Sequence, residues 1–461
     1  MAEEDEIDDK SHHQGEKDNE PYDYSQVDPL TAIGFHAEQN SIYFINPPKE
    51  LSTYPMYIEN PEKHEKNIGT FISYTLNGTD ITEKMSRRYS DFFALYEKLL
   101  QRWPGVYIPR IPPKLITKNT SRKRTKRRMR LLNRFCLNLS NIDYLYACEE
   151  TSLFRGNTQD VANLINKLPE FNLDEILHRM KDAFPEYNEN YDILLGKPKI
   201  IDFDNFLKKY IKTIELFQKT VESAVEKREQ EKKKYVELIN GFVEYEKNSI
   251  VTYTDDNTNN LIFNNPSYSE LAGKVKELEK KMINPFTAFK DWLEEEILDA
   301  EGMLIAIKGI NEFIEKEEKL RQKLETNETD LKRVESGGSS IKTFFQRKDS
   351  VVAKILKEKE DTNTKLKNME LLVKILADNM EKQITKFKEE KTQTYYKYLK
   401  IFAILQKESN KVIKEIWDLV KNSLNEIAPH APQANEEYKA EPISKEEANI
   451  EQMDAEQIDE D

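Results

Sequence analysis

The chain has 461 residues, of which 38% are hydrophobic and 33% are charged, and this composition favours long solvated helices beside a smaller globular part. It contains only 13 glycines and two cysteines, Cys136 and Cys148, so neither a large all-β fold nor a disulfide framework is expected, and a reducing compartment is indicated. No apolar run approaches the roughly 20 residues that span a bilayer, and the acidic N-terminus lacks the apolar core of a signal peptide. We therefore expect a cytoplasmic protein.

The formal net charge of −14 is concentrated at the two ends of the chain. Residues 1–20 carry a net charge of −7 and residues 436–461 a net charge of −9, which leaves 21–435 at about +2. Both ends contain few apolar residues, and such segments do not form a packed core. We predict disordered acidic tails over 1–30 and 429–461.

Residues 50–157 have the pattern of a small mixed domain. Strand-like runs rich in β-branched and aromatic residues are punctuated by Asn77-Gly78, a strong signal for a hairpin. Apolar residues then recur at helical spacing over 92–100 and again over 131–142. We predict an α+β domain with a small antiparallel sheet and helices.

Residues 158–198 are predicted to be a linker that contains one amphipathic helix over 171–184, "FNLDEILHRMKDAF". Two interpretations are open for this helix. It packs on a neighbouring domain, or it lies in a membrane interface. Asp174 and Glu175 weaken the second interpretation.

From 199 to 428 the pattern predicts an all-α, elongated, three-helix coiled-coil bundle. Apolar residues alternate at spacings of 4 and 3 from Phe203 to Ala224, which is the seam of a coiled coil or long bundle. A second helix is predicted over about 269–334 with a kink at Pro285, and a third from about 341. We expect the remaining apolar stripes to be buried by dimerisation.

The stretch "MSRRYSDFFALYEKLLQRWPGVYIPRIPPK" at 85–114 combines a cationic pair, an aromatic residue and a rigid proline loop that ends in a cation. Arginine presents a planar fork of donors that matches phosphate oxygens, and a tyrosine ring can pack against inositol. Proline stiffens the loop, so that Lys114 loses little entropy on binding. Residues 118–130 then hold eight basic residues and no acid, which suits an anionic lipid surface at about 1 kcal/mol per basic residue.

These blocks resemble the PX (phox-homology) domain family. The sequence R-R-Y-S-D-F at 87–92 resembles the family's R-R-Y-x-D-F signature, and P-R-I-P-P-K at 109–114 resembles its P-P-x-P-x-K loop. Arg128, followed by Leu132 and Phe135, is similar to its R-x3-L-x2-[FY] helix. A PX domain before a long helical region resembles the PX-BAR class of sorting nexins.

The resemblance implies a site for phosphatidylinositol 3-phosphate. Arg88 would hold the 3-phosphate, Tyr89 would stack under the inositol ring, Lys114 would meet the 1-phosphate and Arg128 the 4- and 5-hydroxyls. Arg110 stands where the family usually has a second proline, so the loop is either less stiff or gains a membrane contact. Accessory basic contacts with the membrane are predicted at Arg87, Arg110, Lys118, Arg122, Lys123, Arg124, Lys126 and Arg127.

The function implied is that of a peripheral membrane protein on the cytoplasmic face of endosomes, which senses or shapes membrane curvature in sorting and trafficking as a homo- or heterodimer through its BAR-like region. Retromer and cargo proteins are candidate partners, and nucleic acid is not. The alternative is a structural coiled-coil protein tethered to membranes or nucleic acid by its basic patch. No enzyme, cofactor or metal site is expected, because the six histidines are scattered and no phosphate loop or G-x-S-x-G occurs.

Overall fold

The computed structural model describes residues 35–36, 41–42, 54–66, 69–114, 121–250, 271–336 and 348–427. Both predicted tails, 1–30 and 429–461, lie outside the described residues. Two short strands, β1 (Phe35–His36) and β2 (Ser41–Ile42), pair in antiparallel fashion. The larger sheet is antiparallel with the order β3-β4-β5, and its strands are β3 (Tyr57–Lys66), β4 (Gly69–Asn77) and β5 (Met85–Arg88).

The Asn77-Gly78 signal marks the start of the connection between β4 and β5, which pair as a hairpin. The connection is longer than a two-residue turn, since β5 begins only at Met85. Gly78 has a φ of +150°, and a Cβ atom there would lie 2.1 Å from the carbonyl oxygen of Pro55. Glycine is therefore required by the close approach of a neighbouring chain segment.

Six helices accompany this sheet in the described part of the chain: α1 (Tyr89–Arg102), α2 (Arg122–Ser140), α3 (Asp143–Tyr146), α4 (Glu149–Arg155), α5 (Val161–Asn166) and α6 (Leu173–Ala183). Phe92 of α1 is fully buried and packs edge-on against Phe135 of α2 and Phe154 of α4, with ring centroids 6.3 and 4.9 Å apart. Aromatic pairs in this geometry stabilise a core beyond the area they bury. The sequence R-R-Y-S-D-F thus places a core phenylalanine four residues after Arg88.

Helix α6 is the predicted amphipathic helix of the linker. The side-chain oxygen of Asn172 accepts hydrogen bonds from the N–H groups of Asp174 and Glu175, so the helix has a capping box at its start. Its apolar face, with Ile176 and Met180, is buried against the rest of the protein. The structure therefore supports the interpretation that this helix packs on protein rather than in a membrane interface.

The long helices are α7 (Ile193–Tyr245), α8 (Leu271–Lys281), α9 (Pro285–Glu335) and α10 (Lys348–Ile427), and a π-helical turn follows α7 over Glu246–Ile250. The predicted kink at Pro285 is instead a helix start. Asn284 is the N-cap and accepts a hydrogen bond from the N–H of Phe286, and proline at the first position loses no helical hydrogen bond. The second predicted helix is therefore two helices.

The chain divides into two compact units, residues 1–229 with 283–409 and residues 230–282 with 410–461. In the first unit Phe203 and Leu207, from the predicted seam, are buried in one core with Phe92 and Met303. The second unit has its own cluster, formed by Ile239, Val275, Leu278, Met282 and Ile416. The predicted class, an α+β domain followed by a long helical region, is confirmed, and the domain boundaries remain predictions. Among the described residues no helix is long and apolar enough to cross a membrane.

Candidate functional site

Arg87 and Arg88 are neighbours on β5 and point in opposite directions, because side chains alternate along a strand. Arg87 is 3% exposed, and its guanidinium donates to the carbonyl oxygens of Phe154 (3.0 Å) and Gly156 (2.6 Å). These bonds join the sheet to the end of α4. The prediction that Arg87 is an accessory membrane contact is therefore wrong.

Arg88 is the outward member of the pair, and its side chain is 49% exposed. Its Nε lies 3.6 Å from a carboxylate oxygen of Asp91, and its guanidinium is 6.0 Å from the centre of the Phe71 ring. The other Asp91 oxygen accepts a hydrogen bond of 2.8 Å from the Arg88 backbone N–H at the start of α1. Asp91 is thus a buried capping residue, and most donors of the Arg88 fork remain open to a ligand.

Tyr89 connects the proline loop to α2. Its hydroxyl donates a 2.7 Å hydrogen bond to the carbonyl oxygen of Pro112, and its ring lies 4.4 Å from the Arg128 guanidinium carbon. Burial raises the pKa of Tyr89, and the charges of Arg128 and Arg110 oppose that rise. The ring is therefore a fixed surface between three parts of the candidate site: β5, the loop and α2.

Arg128 and Tyr74 contribute polar atoms that lack partners. Nη2 of Arg128 and the hydroxyl of Tyr74 on β4 are buried and have no hydrogen-bond partner among the described residues. Burial lowers the pKa of Arg128 and raises that of Tyr74 to about 12, and each charge acts on the other. Unsatisfied buried donors are costly, so a ligand with oxygen acceptors would be stabilised here. Tyr74 was not predicted from the sequence, because a single tyrosine on a strand is usually a core residue.

Other predicted cations lie at the start of α2 and at the end of the loop. Lys114 is exposed and has no ion-pair partner among the residues that the structure describes. Arg122, Lys123 and Arg124 are exposed in the first turn of α2, with Lys126 half-buried behind them. Lys118 lies outside the described residues. Arg122 and Lys123 thus lie at an exposed surface on the same helix as Arg128.

Two predicted membrane contacts bind acids of α9 instead. Arg110 lies 2.5 Å from a carboxylate oxygen of Glu301, and Arg127 forms an ion pair with Glu294. Each guanidinium therefore has a partner within the chain, which competes with an accessory lipid contact at these two positions. The sequence alone does not distinguish Arg110 and Arg127 from the other cations of the loop and of the basic run.

The same face of α2 carries a buried ionic network. The Arg130 side chain is 5% exposed and donates to Glu294 (2.8 Å) and to Glu295, and Arg134 donates to Glu295 and Asp299 at 2.6 Å each. Buried charges require such pairing, because desolvation of an isolated ion costs several kcal/mol. The network fixes α2 to α9.

Asp299 is the most connected acid of this network. Besides Arg134 it binds the ammonium of Lys391 at 2.9 Å and accepts a 3.3 Å hydrogen bond from the hydroxyl of Tyr107. Burial alone would raise its pKa, but Arg134 and Lys391 outweigh burial and hold the pKa well below its usual value. In the sequence, this network is indicated by the run "DWLEEEILDAE" at 291–301, which holds six acids. The sequence alone does not show that this run contacts α2.

Comparison with known proteins identifies the α+β part. The family model of the PX domain matches residues 77–155, which include β5, the proline loop and α2. Residues 77–155 thus match a PX domain, which confirms the predicted resemblance for this part of the chain, and long helices follow it. No curated protein sequence matches the chain significantly.

One similar solved structure is the cryo-EM structure of the SNX-BAR Mvp1 tetramer. It is 18% identical, with 81% of this chain and 100% of that chain covered and a TM-score of 0.43. At that score the likeness does not define a shared fold. Among the described residues no group of three or more acids, histidines and cysteines could hold a metal ion.

Proposed function

We propose that this chain is a peripheral membrane protein whose PX domain binds phosphatidylinositol 3-phosphate on endosomal membranes. The observation that carries the proposal is the arrangement of Arg88, Tyr89 and Arg128. Arg88 offers a half-exposed guanidinium one residue before Tyr89. The Tyr89 ring lies against Arg128, which has an unpaired buried donor, and its hydroxyl is fixed by the loop that ends in Lys114. A phosphorylated inositol headgroup supplies the acceptor oxygens that these groups lack.

The predicted headgroup contacts are part of this proposal. Arg88 would hold the 3-phosphate, Lys114 the 1-phosphate and Arg128 the free 4- and 5-hydroxyls. Since Arg128 donates and carries no acceptor, it does not by itself reject added phosphates. Preference for the 3-monophosphate would come from the half-buried setting of Arg128, which leaves little room for further phosphates.

The second part of the proposal is that the helical region dimerises and senses or shapes membrane curvature in endosomal trafficking. In the first unit several large apolar side chains of α7 and α10 are exposed, including Leu216 at 65% and Tyr396 at 66%. Such side chains at helical spacing indicate a contact with another protein surface. A second copy or a related chain would cover them, and retromer or cargo proteins would then bind the membrane-attached dimer.

Vesicle flotation tests the lipid site. Charge-assisted hydrogen bonds contribute about 1.5–3 kcal/mol each, so Arg88→Ala should weaken binding of the full chain to phosphatidylinositol 3-phosphate vesicles at least about tenfold. Arg88→Lys should recover only part of the loss, because an ammonium lacks the planar fork. Arg333→Ala, which removes an exposed arginine from α9, is the matched control and should bind as the wild type does.

A panel of vesicles with equal total charge separates the pocket from the basic run. Preference for the 3-monophosphate over polyphosphorylated headgroups supports the pocket. Equal binding to every vesicle of this panel, left unchanged by Arg88→Ala, would contradict the proposal and favour a basic patch that tethers a coiled coil.

A further inference from the structure

The proline loop of this PX domain departs from the family pattern at one position. Arg110 stands where the resemblance leads one to expect a second proline, and such a proline would limit the conformations of the loop. The loop forms neither helix nor strand from Tyr107 to Lys114. Pro109, Pro112 and Pro113 restrain the loop on either side, but at position 110 a restraint must come from a contact of the side chain.

The restraint comes from α9. The Arg110 guanidinium and the Glu301 carboxylate are 2.5 Å apart, with side chains 33% and 31% exposed. Burial raises the pKa of Glu301, and Arg110 opposes that rise. A pair that is two-thirds buried loses less of its attraction to solvent than a fully exposed one.

The loop also packs directly on the same turn of α9. A Cβ atom at Gly302 would lie 3.0 Å from the Tyr107 ring and 3.1 Å from the carbonyl oxygen of Ile108. Tyr107 in turn donates to Asp299, one turn earlier on the helix. Glu301 therefore acts at a place where backbone and side chains already meet closely.

The opposite end of the loop belongs to the candidate lipid site. The carbonyl of Pro112 accepts from Tyr89, and Lys114 follows two residues later. Any movement of the loop changes the position of both groups. The ion pair thus lies between the helical region and the residues proposed to bind the headgroup.

We propose that Glu301 of the helical region is a positioning residue for the lipid site of the PX domain. Through Arg110 it holds the proline loop in its binding conformation and performs the restraint that a proline performs elsewhere. This inference rests on the proposed lipid function. It assigns Arg110 to the loop and not to the membrane, and it makes headgroup affinity depend on a residue outside the PX domain.

The test compares four variants of the full chain on phosphatidylinositol 3-phosphate vesicles: Arg110→Ala, Glu301→Gln, the two combined, and the exchange of Arg110→Glu with Glu301→Arg. Each single variant should weaken binding about three- to fivefold, the range that a partly exposed ion pair contributes. The combined variant should lose no more than either single one, because both remove one interaction. The exchange should restore most of the affinity. Glu312→Gln, an exposed acid on the same helix, is the control and should bind as the wild type does.

Hydrogen exchange of the free protein gives a second readout that needs no lipid. Backbone amides within 107–114 should exchange faster in Glu301→Gln than in the wild type or in Glu312→Gln. Equal unfolding midpoints for all variants establish that the loop has changed and not the fold.

Three results would overturn the inference. If Arg110→Ala weakens binding while Glu301→Gln does not, Arg110 contacts the lipid itself. If the two losses add, the residues act independently. If the wild type fails to bind the vesicles, both the proposed function and the positioning role are refuted. This third result is recognised from the wild type alone, whereas the first two require a wild type that binds.

Discussion

Replacing Arg130 by methionine tests whether the network between α2 and α9 holds the PX domain on the helices. Arg130 is 5% exposed on its side chain and pairs with Asp291, Glu294 and Glu295. Methionine keeps an unbranched side chain and removes the charge. Asp291 then loses its ion pair, while Glu294 and Glu295 each keep a second partner, Arg127 and Arg134. Removing one member of a buried ion pair costs about 3–5 kcal/mol.

Urea unfolding followed by tryptophan fluorescence measures this loss. Trp292 is a suitable probe, since its indole N–H donates to Glu296 on the same helix, beside the network. With a denaturant slope of about 3 kcal/mol per molar, the midpoint should fall by about 1 M or more. The control is Arg321→Met, whose ion pairs with Glu317 and Glu370 are half-exposed and whose loss should cost less than about 1 kcal/mol.

A second variant separates the charge from the shape of the side chain. Adding Asp291→Asn to Arg130→Met removes the acid whose ion pair was with Arg130, so part of the lost stability should return. A midpoint for Arg130→Met equal to that of Arg321→Met would refute the reasoning, because it would mean that water and not Arg130 satisfies these carboxylates.

Two further predictions concern packing and assembly. A Cβ atom at Gly309 would lie 2.5 Å from the backbone nitrogen of Gly105, so Gly309→Ala should lower the free energy of unfolding by about 1–3 kcal/mol in the same urea titration. Gly241 in α7 has open space around it, so Gly241→Ala should raise the free energy of unfolding by about 0.5–1 kcal/mol. Leu216→Glu combined with Tyr396→Glu, both at exposed positions, should turn a dimer into a folded monomer in sedimentation analysis and abolish vesicle tubulation. A wild-type chain that is monomeric at micromolar concentration would contradict the proposed dimer.

The site residues that the sequence predicted are those that a linear motif and a strand or helix period can define. The outward side chain of Arg88 and the capping role of Asp91 both depend only on local geometry, at the end of β5 and the start of α1. Alternation along a strand also predicts that Arg87 and Arg88 point to opposite faces, so that only one of the two can reach a ligand. A cationic pair in the sequence does not show which one. The burial of Phe92 likewise follows from helical spacing.

The partners of α2 could not be predicted, since they depend on which helix packs beside it. Arg130 and Glu295 are 165 residues apart in the chain, and nothing local distinguishes Arg130 from Arg128 two positions earlier. Their directions differ because a step of two residues turns a helix by about 200°. The acid-rich run of α9 held the missing information, and it becomes informative only once tertiary contacts pair it with a basic face.

The pairing of α2 with α9 bears on any fragment that ends at residue 157. Excision would release Arg110, Arg127, Arg130 and Arg134 from their carboxylates and place four additional cations on a domain that normally shields them. Such a fragment would adhere to anionic bilayers through general charge attraction, with a steep dependence on ionic strength. Its affinity would overstate that of the intact chain, and its discrimination among phosphoinositides would understate it.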